Sequence, residues 1–149
     1  MSLTRTLAVM RNNPLLTVLG EEGRRLLAFE SDPINLKPRE SLFDAGDPAE
    51  GAILVLGGQL RLIPEGASLG PRVYAVGQLV DEMALLVAKK RSASAIAQTS
   101  CEVFPLDRAR MLRILNEYPD AAKELQRMIA ARAQAFVSEV ASVKDRLGG

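Results

Sequence analysis

The sequence contains no histidine and a single cysteine in 149 residues. Without imidazole, Ser–His–Asp and Cys–His catalysis are excluded, and so are most transition-metal sites, which lean on that ligand. The lone thiol, Cys101, can form neither an internal disulfide nor a cysteine metal cluster. It lies in an apolar stretch and reads as a core residue. Long apolar runs are missing as well: the longest, such as Ala52 to Leu56, fall far short of a membrane span. The N-terminus lacks the charged, apolar and small-residue succession of a secretory signal, so the expected location is cytoplasmic. There is no basic excess either. Nineteen Lys and Arg stand against 18 Asp and Glu, a net charge of +1. A reader of duplex DNA concentrates positive charge on one face, so no nucleic-acid contact by this chain alone is expected. No carboxylate pair stands at a spacing suited to acid–base work. An enzyme is therefore not expected, nor a metal or other cofactor.

What is present is an ordinary globular composition, 48% hydrophobic and 25% charged, at a length that suits one domain with a real core. Residues 1–13 are mixed in character and read as a loosely attached N-terminal arm, with the domain proper over 14–149. Pro14 to Glu30 reads as helical, with Leu15, Leu16, Leu19, Leu26 and Leu27 near a 3.6-residue spacing interrupted by Gly20 and Gly23. Asp32-Pro33 ends it, because the residue before a proline disfavours the α region. From about 33 to 106 the texture is that of an all-β roll: short apolar runs between closely spaced turn signals. Those signals are Lys37-Pro38, Ala45 to Pro48, Gly57-Gly58, Pro64 to Gly66, Gly70-Pro71 and Gly77-Gln78. Strands are expected near Ile34–Leu36, Ser41–Phe43, Ala52–Leu56, Gln59–Ile63, Val73–Val76, Ala93–Ala97 and Cys101–Leu106. Glu82 to Ala88 has good helix formers and no turn residue, which predicts a short helix inside the roll. Two helices should close the chain over about 107–147. Asp107 suits the N-cap of the first, Tyr118-Pro119 separates them, and the second runs from about Asp120 to Leu147. On that second helix Ile129, Ala133, Phe136, Val140, Val143 and Leu147 follow heptad steps of 4, 3, 4, 3 and 4, a seam fit for a homodimer through residues 129–147.

The segment GQLVDEMALLVAKKRSA, Gly77 to Ala93, resembles the phosphate-binding cassette of the cyclic nucleotide-binding domain family, in particular the sensor domain of the catabolite-activator type. Gly77 holds the turn, Glu82 the acidic position, and Arg91, Ser92 and Ala93 the closing triplet, nine residues after Glu82. Gly46-Asp47 and Gly58 fall at the family's usual turns, and RSASAIAQTSCEVFPL is similar to its following strand pair. The likeness runs from about Pro14 to Leu147. It implies a mainly β fold, a double-stranded β-helix (jelly-roll) barrel with a short internal helix and flanking helices. It also implies a ligand, cyclic AMP or cyclic GMP, held by Leu79, Val80, Asp81, Glu82, Met83, Ala84, Arg91, Ser92, Ala93 and Phe136. In that scheme Arg91 forks onto two phosphate oxygens. Ser92 and the Ala93 amide add donors, and the N-terminus of the short helix offers free N–H groups. The Glu82 carboxylate accepts the ribose 2′-hydroxyl, and the long helix covers the base. Each residue also has a plainer reading: Glu82 as a dipole-favouring acid, Arg91 in a structural ion pair, Ser92 as a strand serine, Phe136 as a seam or core residue.

Three positions depart from the family pattern. Asp81 stands where the family has glycine. Its carboxylate beside a bound anion is worth ~4 kcal/mol of repulsion at ~4 Å and an effective dielectric near ~20. As a favoured N-cap residue it also competes for the helix N–H groups, and it fits less well any backbone angle reserved for glycine. An internal Asp81–Arg91 pair would fill the pocket from within. On the long helix, Phe136 and Val137 stand where the family's Thr-Ser pair meets the base. No recognition helix or basic stretch follows the long helix within these residues: if they are the full protein the expected output is a protein effector or self-association, and if they are a fragment an output domain lies outside them. The leading reading is a cyclic-nucleotide sensor that transmits occupancy through its C-terminal helix. The alternative is a degenerate domain of the same fold serving as a dimerisation or protein-interaction module.

Overall fold

A computed structural model describes residues 2–29, 31–66 and 70–148; the side chains of Ser2 and of residues 136–148 lie outside the description. Three helices lead: α1 (Ser2–Met10), α2 (Pro14–Thr17) and α3 (Gly20–Ala28). The strands follow: β1 (Ile34–Leu36), β2 (Ser41–Phe43), β3 (Pro48–Ala49), β4 (Gly51–Gly57), β5 (Leu60–Pro64), β6 (Arg72–Tyr74) and β7 (Leu79–Val80). A 3₁₀ turn (Glu82–Leu85) precedes β8 (Lys89–Lys90), β9 (Ala93–Ala97) and β10 (Cys101–Asp107), and α4 (Arg108–Glu117) and α5 (Pro119–Gly148) complete the chain. Every strand pairing is antiparallel. One sheet runs β1-β10-β4-β7 and the other β2-β9-β5-β6, while β3 and β8 form a two-stranded flap. These sheets make the mainly β roll expected, with flanking helices and a short internal turn, and among the described residues they do not close into a continuous barrel.

The alternation along β4 explains how roll and helices share one scaffold. Ala52, Leu54 and Leu56 point to a core they form with Leu7, Met10, Leu16, Leu27, Phe104 and Met111, the helical side. Ile53 and Val55 point the other way, to Leu60, Leu62, Val80, Ala95 and Val103 inside the roll. Successive side chains on a strand face opposite ways, so a strand buried on both sides reads as an unbroken apolar run. Cys101 belongs to the roll interior, and desolvation by burial pushes its thiol above the usual value.

Strands β1, β2 and β9 coincide with their expected bounds, and β4, β5, β6 and β10 differ by one to two residues at an end. Strands β3, β7 and β8 were not foreseen; two residues each leave no periodicity to detect. At the N-terminus the expectation of a loose arm fails. Residues 2–10 form α1, whose Leu7 and Met10 are buried in the helical-side core. The helix expected over Pro14–Glu30 is broken in two. Gly20, at φ +71°, turns the chain, and the buried Arg24 donates to the Leu16 and Thr17 carbonyls that a continuous helix would have used. Asn13 caps α2 by accepting from the Leu15 and Leu16 amides.

Gly58 and Gly46 both sit at positive φ, but a Cβ at Gly58 would stand 2.0 Å from the Ser100 carbonyl oxygen, whereas one at Gly46 would meet nothing within 4 Å. Gly46→Ala should therefore cost only the left-handed penalty, ~1–2 kcal/mol, and Gly58→Ala ~2–5 kcal/mol. Urea unfolding of both variants checks this, and equal losses would count against a limiting contact at Ser100. Met10→Ala should cost ~2–5 kcal/mol by the same measurement. A loss under ~1 kcal/mol, typical of an exposed site, would mean that α1 does not dock.

Candidate ligand-binding site

The segment singled out in the sequence runs along the rim of the roll. Leu79 and Val80, paired with Leu54 and Ile53, are buried on opposite faces of β7, the first in the helical-side core and the second in the roll. The chain then reverses at Asp81, a non-glycine residue with φ +55° and ψ +52°. That left-handed geometry is one that glycine adopts freely and that Asp and Asn tolerate better than other L residues. It accounts physically for the family's glycine at this position.

The short helix is briefer than expected. It is a single 3₁₀ turn over Glu82–Leu85 that stops short of Ala88, and beyond it Lys89–Lys90 pair with Pro48 and Ala49 as β8. Ala84 N–H already donates to the Asp81 carbonyl at 2.9 Å. A four-residue turn aligns few peptide dipoles, so attraction for an anion falls to side chains here, not to a helix end. Asp81 does not cap the turn with its side chain. Within the turn Ala84 and Leu85 are fully buried and Met83 is exposed.

Asp81 is instead held by two cations. Arg91 Nη1 donates to Asp81 Oδ2 at 3.0 Å, and Lys89 Nζ to Asp81 Oδ1 at 3.4 Å. The Asp81 and Arg91 side chains are only 9% and 8% exposed, so this is a buried pair whose attraction offsets a heavy desolvation cost. The guanidinium is fixed from behind. Its Cζ lies 4.4 Å from the centre of the Phe43 ring, a cation–π contact. Its backbone is clamped on both sides, with Arg91 N–H donating to the Asp47 carbonyl at 2.7 Å and Gly46 N–H donating to the Arg91 carbonyl at 2.8 Å. The Gly46-Asp47 turn, legible in the sequence as a turn, thus positions the arginine.

The remaining expected residues diverge. Ala93 is buried in the roll, while Ser92 is exposed. The nearby serine hydroxyl with a defined role is that of Ser94, which accepts from Ala45 N–H at 3.0 Å. The Phe136 side chain lies outside the described residues, as do the seam positions Val140, Val143 and Leu147. Of the other seam positions, Ile129 is half-buried against the helical-side core and Ala133 is exposed.

Four residues at the site escaped the sequence reading. Glu82 is paired with Arg132 of α5, 50 positions away, so the long helix reaches the cassette through a charge. Lys89 and Phe43 support Asp81 and Arg91 as described. Arg108 Nη1 donates to the carbonyls of Ala49, Ala84 and Val87 at 2.8, 3.2 and 3.3 Å, tying α4 to the flap and the turn. A signal for Arg108 was available: a cation in the first turn of a helix opposes the dipole, which suggests tertiary work. Asp107 caps that helix as expected, accepting from Arg110 N–H at 3.0 Å.

Known proteins resemble this arrangement. The Cyclic AMP receptor protein of Thermus thermophilus is 33% identical over 127 residues, 83% of this chain and 58% of its own length. The cAMP-dependent protein kinase regulatory subunit of Emericella nidulans is 32% identical over 108 residues, 72% of this chain and 26% of its own length. This chain thus spans little more than half of one relative and a quarter of the other. The crystal structure of the N-terminal domain of a transcriptional regulator from Streptomyces coelicolor A3(2) superposes with a TM-score of 0.77 at 25% identity, covering 89% of this chain and 94% of that one. The profile titled Cyclic nucleotide-binding domain matches residues 33–118, from the first strand through α4. Roll, cassette and closing helix all fall within that match, and the chain belongs to the cyclic nucleotide-binding domain family.

Proposed function

We propose that this chain is a cyclic-nucleotide sensor domain. In this reading Arg91 binds the cyclic phosphate, Glu82 accepts the ribose 2′-hydroxyl, and α5 carries the state of the cassette outward. The observation that carries the reading is Arg91 itself. It is a guanidinium withdrawn from solvent, braced by Phe43 and clamped by the Gly46-Asp47 turn. A cation so costly to bury suits recognition of an anion at a fixed place. The Glu82–Arg132 pair supports the link to α5, because a ribose hydroxyl that takes Glu82 competes directly with a residue of that helix. Two relatives carry cyclic AMP in their names, so cyclic AMP is the first ligand to try and cyclic GMP the second. Leu79, Val80, Met83, Ala84, Ser92, Ala93 and Phe136 complete the proposed pocket.

The output in this reading is a protein effector or a second copy of the chain. Helix α5 continues for about four turns beyond Arg132, with 129–147 as the proposed seam. No helix among the described residues is long and apolar enough to cross a membrane; a cytoplasmic location, no direct contact with nucleic acid and no catalysis belong to the same proposal. A second reading, a dimerisation or protein-interaction module that binds no nucleotide, draws support from one observation, the Asp81 carboxylate already seated on Arg91.

Thermal unfolding with cyclic AMP and with cyclic GMP tests the sensor. A ligand at 100 times its dissociation constant should add about 2.7 kcal/mol of stability. Arg91→Ala should weaken binding roughly 10- to 100-fold through loss of a charge-assisted hydrogen bond. No stabilisation by either nucleotide at millimolar concentration would sink the sensor reading. Sedimentation velocity tests the seam: a concentration-dependent dimer, lost in Val140→Asp, is expected, and a monomer at all concentrations would remove residues 129–147 as an interface.

A further inference from the structure

Asp81 is paired with Arg91, the residue proposed above to bind the ligand phosphate. Both of its carboxylate oxygens face cations, Oδ2 at Arg91 and Oδ1 at Lys89. Its side chain is nearly sealed from water, and none of its bonding capacity goes to the turn that follows. The backbone at Asp81 holds the left-handed conformation, and from there the carboxylate reaches back onto the arginine.

We propose that Asp81 is a built-in anionic occupant of the Arg91 site, and that a cyclic nucleotide binds only by exchanging its phosphate for this carboxylate. The proposal rests on the reading of the cassette as a nucleotide site and adds its regulation. A carboxylate and a cyclic phosphodiester each present one negative charge spread over two oxygens, so they compete for the same face of a guanidinium. Seating both on Arg91 would place two anions side by side in a poorly hydrated spot. The arginine is the fixed member, held by the Phe43 ring and by two backbone hydrogen bonds. The movable member is Asp81. Lys89, whose side chain is 32% exposed on the flap, holds the other carboxylate oxygen and gives a displaced Asp81 a partner nearer to solvent. Without ligand Arg91 therefore already has an anionic partner, and the apparent affinity is reduced in proportion to the fraction of molecules in which Asp81 has left Arg91. Asp81 thus sets the ligand concentration at which the domain responds.

The experiment titrates cyclic AMP and cyclic GMP by calorimetry into the full chain and into Asp81→Asn and Asp81→Gly. Asparagine keeps the shape and tolerates positive φ while removing the charge; glycine removes the side chain. Both variants should bind at least about tenfold more tightly than the unaltered chain. Equal affinities across the three would overturn the proposal and leave the nucleotide reading standing. If none of the three binds nucleotide, the sensor reading fails by itself, and a second measurement decides the role of Asp81: thermal unfolding in inorganic phosphate against chloride at equal ionic strength. An emptied anion seat should make phosphate raise the melting temperature of Asp81→Asn and Asp81→Gly beyond any shift in the unaltered chain. Adding Arg91→Ala to Asp81→Asn should abolish that excess. Identical phosphate responses in the unaltered chain and both variants would overturn the proposal.

Discussion

Strand β4 is buried on both faces, and the other layers are arranged around it. Its even-numbered side chains from Ala52 to Leu56 close the helical-side core, and Ile53 and Val55 close the roll. Its two edges are taken by β10 and β7. Because β7 runs straight into Asp81, the position of the cassette follows from the register Leu54 to Leu79 and Ile53 to Val80. A one-residue slip there would exchange the two cores' side chains. That would place Leu79 in the roll and move the turn away from Arg91.

Around this frame the site is organised by charge. Arg91 is brought to the rim by β9 and by the Gly46-Asp47 turn, and Asp81 by β7, so two strands from different sheets deliver the two halves of one ion pair. Glu82, the next residue, turns to Arg132 of α5. Adjacent carboxylates are therefore drawn to arginines in different parts of the fold, one in the roll and one in the terminal helix. The Glu82–Arg132 pair is about half exposed, so its direct energetic worth is small. Its importance is geometric, since it joins the turn after β7 to α5.

The helices at the two ends of the chain are joined through the same core. Leu7 and Met10 of α1, Leu27 of α3, Met111 and Ile114 of α4 and Leu125 of α5 pack together. Arg108 adds a polar fastening from α4 to the carbonyls of the cassette turn. The turn is therefore tied to α4 through Arg108 and to α5 through Arg132, two contacts that differ in burial and in chemistry.

Much of this was legible in the sequence. Turn residues marked off the strands, since glycine and proline punctuate the chain by local sterics alone. The resemblance of Gly77–Ala93 to a family cassette singled out the segment, and an acid at 81, where that resemblance expects glycine, raised the Asp81–Arg91 pair that the structure contains. What the sequence by itself determined was the local part of the structure: the roll, its bounds, the Asp107 cap and the residues of the ion pair. The tertiary structure alone decided the rest. It docked α1, which lacked a visible partner until the β4 face existed to receive Leu7 and Met10. It cut the helix expected over Glu82–Ala88 to the Glu82–Leu85 turn and paired Lys89–Lys90 with Pro48–Ala49 in a flap that no local periodicity encodes. It also gave Glu82 to Arg132, a choice set by where α5 crosses the roll. Spacing along the chain encodes contacts a few residues apart, whereas contacts between distant residues exist only once both sheets have folded.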